Sequence, residues 1–172
     1  MTIDKQNLKL KVKEMLEKNN ITSPKVDVFS IAKREGFDIS YLNLDYEENL
    51  AGVFAPKAKN IFLNEKHVKE KQKFTISHML GHCILKHDFI EEENLCYDHK
   101  IDCTHNPIKE QEANYFAVNL LVPDSILKIY LSPYDKYREK DVKFFASFFQ
   151  VSPEVMRAQL KDFFALGLHR KC

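Results

Sequence analysis

The sequence predicts an α+β fold, a small and mostly antiparallel sheet flanked by helices. Three observations predict it. A helix-period apolar stripe opens the chain, three short β-like pieces fall together between residues 37 and 64, and nearly everything beyond Glu65 reads as helix. With 172 residues, 44% hydrophobic and 30% charged, the chain suits a single domain over 1–172 with a sizeable core. Lys and Arg number 26 against 25 Asp and Glu, a net charge of +1, so charge gives no argument for nucleic acid or an anionic membrane. Nowhere do about 18 apolar residues run together, so no membrane span is expected. The opening "MTIDKQNLKLKVKEML" lacks the apolar core of a signal peptide, and the expected address is cytoplasmic. Cys83, Cys96, Cys103 and Cys172 are then expected as free thiols.

The elements follow in order. Leu8, Val12, Met15 and Leu16 fall at helical spacing and predict a helix over 5–18. Ser23-Pro24 reads as an N-cap with proline at the first helical position, and Gly36 as a stop, so a second helix is expected over 24–35. "FDISYLNL", "AGVFAP" and "NIFLN" read as strands, the last two joined by the turn-like "KAK" into a hairpin. A helix over 68–86 carries "KFTISHMLGHCILKH". Asn106-Pro107 opens another by the same cap-and-proline logic, running to Val122-Pro123. A short helix over 124–131 precedes two more, near 140–149 and 153–166, which form a C-terminal helical hairpin.

The histidine helix carries the chemistry. His78 and His82 lie about 40° apart on one helical face, where a single tetrahedral ion could take both rings. Phe74, Ile76, Met79, Leu80, Cys83, Ile84 and Leu85 leave almost no polar face, so the helix is expected to be central and buried. The alternative is a pair of hydrogen-bonded core histidines, or histidines lining a cleft. Gly81 between them marks close packing, because a helix-interior glycine costs roughly 1 kcal/mol against alanine. By the same count His87 points about 180° from His78 and is not expected as a ligand.

The helix after Pro107 offers two carboxylates. Its core stripe is Ala113, Phe116, Ala117, Leu120 and Leu121. Glu112 lies about 40° from Phe116 at the stripe edge, whereas Glu110, about 160° round from Glu112, is expected to face water. Glu112 could reach inward, or could simply be a first-turn carboxylate favoured by the helix dipole. Two His from one helix and one Glu from another form a known catalytic zinc set.

"KFTISHMLGHCILKH", followed some thirty residues later by "EQEANYFAVNLLVP", resembles the ImmA/IrrE family of zinc metallopeptidases. The resemblance extends upstream through "VDVFSIAKREGFDI" and "AGVFAPKAKNIFLNEK" and downstream through "FFQVSPEVMRAQL", covering roughly 24–166. It implies a zincin-like active-site helix, Zn2+ as cofactor, zinc ligands at His78, His82 and Glu112, and cleavage of a helix-turn-helix repressor, often on mobile elements or in stress responses. The family motif HExxH places a glutamate where this chain has Met79. That glutamate takes the proton of the zinc-bound water, and a thioether has no useful basicity. Loss of a positioned acid–base group costs typically about 10²–10⁴-fold in rate. The expectation is therefore a zinc-binding peptidase domain with cleavage impaired or lost. Its alternatives are a pseudopeptidase that binds a regulator without cutting it, and a DNA-binding regulator using the C-terminal hairpin.

Two further clusters are notable. "CYDHKIDCTH" brings Cys96, His99, Cys103 and His105 together, either a second metal site or a plain polar loop, and the Glu91–Glu93 run before it is expected as a solvated loop segment. "FASFFQVSPEVMRAQL" resembles half of a helix-turn-helix, but Arg157, Gln159 and Lys161 are offset by Glu154 and Asp162.

Overall fold

The computed structural model describes residues 3–44, 50–88, 94–97 (backbone), 106–131 and 136–168. Among the described residues, seven helices surround a four-stranded sheet. Helix α1 (Lys5–Lys18) buries Leu8, Val12, Met15 and Leu16, the stripe its periodicity predicts, and Asp4 caps its N-terminus. The second helix, α2 (Val28–Arg34), is shorter than expected. Its N-cap is Asp27, whose side chain accepts from the Ser30 N–H, while the Ser23 hydroxyl accepts from the Lys25 N–H in a separate turn. Ser23-Pro24 thus starts a turn and not the helix. Asp27 captures the cap because its carboxylate also accepts from the Ser30 hydroxyl at 2.6 Å.

The strands are β1 (Asp38–Leu42), β2 (Leu50–Ala55), β3 (Asn60–Asn64) and β4 (Asn94–Tyr97), in the order β1-β3-β2-β4. The β2–β3 pair is the expected hairpin, with Ala55 opposite Asn60, and β4 adds to β2 antiparallel. One pair departs from antiparallel: β1 runs parallel to β3, Ile39 opposite Ile61. Side chains alternate between the faces. Phe54, Ile61 and Leu63 enter the main core, whereas Leu50, Val53 and Phe62 join Leu44 in a small second cluster. Both faces of β2 are therefore covered, and all six of its residues are buried. Strand β4 falls where a polar loop was expected. Its backbone pairs with β2, a ladder that local composition does not announce.

Helix α3 (Lys69–Ile84) lies at the centre, packed on α2, β2, β3 and α4 (Pro107–Leu121). Every residue from Thr75 to His82 is buried. Asn106 caps α4 and Pro107 occupies its first turn, as the sequence predicts. The α3–α4 contact is close because Gly81 has no side chain: a Cβ there would stand 3.1 Å from Ala113 Cα and 3.2 Å from its carbonyl oxygen. Helices α5 (Asp124–Leu131), α6 (Glu139–Phe149) and α7 (Pro153–Ala165) complete the fold. Gln150, left-handed at φ 56°, turns α6 into α7, and Ser152 caps α7. Gln159 of α7 is wholly buried and donates to the Val122 carbonyl and the Asp124 carboxylate, which ties the end of α4 to α7. Among the described residues no helix is long and apolar enough to cross a membrane.

Gly81→Ala is expected to destabilise the protein by about 1–3 kcal/mol, because the backbone of Ala113 must yield. Urea unfolding checks this: the midpoint should fall although alanine is the better helix former.

Candidate metal centre

Two elements build the site. On α3, His78 and His82 stand one turn apart, both fully buried, with their Nε2 atoms 2.8 Å from each other. On α4, Glu110 sends its Oε2 to 3.3 Å from each of those nitrogens. Glu110 is 7% exposed, so the expectation that it faces water is corrected. His78, His82 and Glu110 form the one group among the described residues whose donor atoms converge closely enough to hold a metal ion.

The expected third donor, Glu112, is not with them. Its Oε2 instead lies 3.1 Å from His87 Nε2. The reason is in the helix count itself. Glu110 precedes Ala113 by three residues and Ala117 by seven, which places it about 20° from Ala117 and inside the apolar stripe. Measured against the whole stripe, and not against Phe116 alone, the sequence points to Glu110. Glu112 is at the stripe edge, as counted, and reaches only the outer side of the cluster.

His87 also departs from expectation, because the helix stops before reaching it. Lys86 adopts a left-handed conformation at φ 56°, the His87 N–H returns to the His82 carbonyl at 2.9 Å, and the Lys86 N–H returns to Cys83. This is a Schellman closure, which folds the second residue after the cap back over the last turn. With lysine and not glycine in the left-handed position, composition gave little signal for it. His87 Nδ1 comes to 2.9 Å from His82 Nδ1, with ring centroids 5.0 Å apart. His87 remains outside the converging trio, as expected, though not for the helical reason.

Proton positions follow from these contacts. Asn114 Oδ1, 3.0 Å from His78 Nδ1, accepts, so His78 carries its proton on Nδ1. The Glu112 carboxylate accepts from His87 Nε2–H, which leaves His87 Nδ1 to accept from His82 Nδ1–H. Both Nε2 atoms then present lone pairs toward a carboxylate oxygen. A proton between the rings would satisfy one pair of these acceptors; a divalent cation satisfies all three. The donor set therefore fits zinc, which takes neutral imidazole and carboxylate oxygen.

Residues 32–161 match the Peptidase_M78 family, described as the IrrE N-terminal-like domain. The chain belongs to this family. Among solved structures, this IrrE-like chain is similar to a Mycobacterium tuberculosis transcriptional regulator, with 14% identity and a TM-score of 0.62. The similarity covers 90% of this chain and 46% of the regulator, so the chain spans about half that protein's length. At such identity the likeness is one of fold. No curated protein sequence matches the chain.

Met79, the residue after His78, is fully buried between α3 and the sheet. Its terminal methyl lies against β2 at Gly52, where a Cβ would stand 3.5 Å from Met79 Cε. The side chain thus fills core volume beside the site and brings no proton acceptor. Cys83, one residue on from His82, is half-buried, and burial pushes its thiol up to about 12, so it stays protonated at neutral pH. The Cys96 side chain and residues His99, Cys103, His105 and Glu91–Glu93 lie outside the described residues.

Burial, against the pull of Glu110, holds His82 below its ordinary value of 6.5; burial and the neighbouring His82 do the same to His87. Depressed histidine values mean that the unfolded chain binds protons the native chain does not. Stability of the zinc-free protein should therefore fall as pH drops through 6.5 and keep falling toward the lower native values. Urea midpoints at pH 7.5 and pH 5.5 check this, the second being the lower.

Proposed function

We propose that this chain is a cytoplasmic, zinc-binding member of its family that engages a helix-turn-helix transcriptional repressor and has lost most or all of the cutting step. The single observation that carries the reading is the convergence of His78, His82 and Glu110 beside a buried methionine. His78 Nε2, His82 Nε2 and Glu110 Oε2 would hold the ion, in place of the set with Glu112. When bound, zinc supplies a Lewis acid for a peptide carbonyl and lowers the pKa of a coordinated water.

The chain's own residues do the rest. Asn114 orients His78 through Nδ1, and His87 meets His82 on its outer edge. Gly81 allows α4 to come near enough for Glu110 to reach both rings. The step without a residue is proton transfer. Met79 takes no proton at neutral pH, and the two carboxylates that touch the cluster are already committed, Glu110 to the imidazole pair and Glu112 to His87. Binding without efficient cleavage is what such a site supports. The family and the regulator-like fold neighbour support a protein partner in gene regulation. The DNA-reading alternative is weakened by two placements: Gln159 is buried and Arg157 is paired with Glu139 at 2.6 Å.

Purified protein should carry about one zinc per chain, falling well below that in His78→Ala and Glu110→Ala, as measured by elemental analysis. Incubated with a cognate repressor, zinc-loaded wild type should bind it and leave it intact. Met79→Glu should cut it at least 10²-fold faster, and chelator should abolish that cutting. Efficient chelator-sensitive cleavage by the wild type would overturn the binding-only reading.

A further inference from the structure

His87 and Glu112 contribute no atom to the converging trio, yet they are joined to it in series. Glu112 Oε2 meets His87 Nε2 at 3.1 Å, and His87 Nδ1 meets His82 Nδ1 at 2.9 Å. The two come from different parts of the chain: His87 lies beyond the end of α3, and Glu112 on the edge of the α4 stripe. What brings them together is the left-handed turn at Lys86, which lays His87 over His82, ring planes 72° apart. His87 is 8% exposed, and the Glu112 side chain stands at the rim at 26%.

We propose that Glu112 and His87 form a positioning relay that fixes the tautomer and ring orientation of His82 for metal binding. The proposal rests on the zinc reading of the trio. A neutral imidazole has two tautomers, and only the Nδ1–H form of His82 offers Nε2 to an ion on the Glu110 side. A carboxylate accepts and never donates, so Glu112 decides the whole line: His87 must donate from Nε2, accept at Nδ1, and thereby require Nδ1–H on His82. His78 reaches the same tautomer in one step, through the neutral amide oxygen of Asn114. The two rings are thus held by unequal devices, and His82 has the anionic one. Outer groups of this kind typically change metal affinity about 10–100-fold. All of them, with Glu110, come from α4 or meet it: Glu110 and Asn114 lie one turn apart on its inner face, and Glu112 acts through the reversed chain end.

A buried residue at position 87 could instead serve only to cover the last turn of α3, as an apolar residue does in a Schellman closure. The variants His87→Leu and His87→Gln separate the two roles. Leucine keeps the cover and removes the acceptor; glutamine restores an amide oxygen that can accept from His82. In the zinc-free full-length protein, long-range proton–nitrogen spectra of the imidazoles report the His82 tautomer directly. Wild type should show Nδ1–H; His87→Leu and Glu112→Ala should shift it toward Nε2–H. Zinc affinity, by competition with a chromophoric chelator, should weaken roughly 10–100-fold in His87→Leu, less in Glu112→Ala, and recover in part in His87→Gln.

An unchanged His82 tautomer, or a zinc affinity within twofold of wild type in folded His87→Leu, overturns the relay. Should His87→Leu fail to fold, Glu112→Ala at the rim carries the same two measurements. If His78→Ala and Glu110→Ala also leave zinc binding untouched, the zinc reading has failed. The tautomer measurement, made without metal, still decides the relay.

Discussion

The close approach of α3 and α4 at Gly81 and Ala113 is the constraint on which the rest of the molecule depends. A helix buried on every side must satisfy each polar group it carries, and α3 carries two histidines into full burial. Their Nδ1 atoms meet Asn114 of α4 and His87 beyond the end of α3, and their Nε2 atoms face Glu110 of α4. The missing Cβ at Gly81 permits that approach, and α4 answers with Glu110 and Asn114 on its inner face. Sheet, hairpin and C-terminal helices hold this pair in place. β2 supports α3 from beneath through Gly52, and Gln159 fastens the end of α4 to α7.

The electrostatics of the site follow from the same burial. Desolvation keeps His82 and His87 neutral, which is the form that coordinates a metal and the form that passes a hydrogen bond along a line. Three atoms that can each offer a lone pair, His78 Nε2, His82 Nε2 and Glu110 Oε2, converge in this dry interior. Met79 fits the same picture from the other side. Its thioether is fully buried and fills core volume beside the histidines without bringing a proton acceptor.

Much of this was legible in the residues. The stripe of α1, the hairpin strands, the cap at Asn106 and the limits of α5, α6 and α7 all follow from short-range rules of spacing and capping. The histidine face of α3 was legible for the same reason, since a helix fixes the angle between residues four apart. The choice between Glu110 and Glu112 was present in the stripe as well, but only when every buried position of α4 is used to locate its centre. The start of α2 is not legible locally because Ser23-Pro24 and Asp27 can both cap, and the hydrogen bonds of Ser30 decide between them.

By itself the sequence determined the α+β class, the helical histidine pair with Met79 between them, and the candidate carboxylates on a second helix. These are consequences of periodicity and of side-chain chemistry, which act over a few residues. Only the tertiary structure decided that Glu110 reaches the histidines, that β1 runs parallel to β3, that β4 joins the sheet, and that His87 turns back onto His82 with Glu112 behind it. Each of these rests on where one element ends and another crosses it. A left-handed residue at Lys86 redirects everything after it, and no angle counted along an unbroken helix survives that turn.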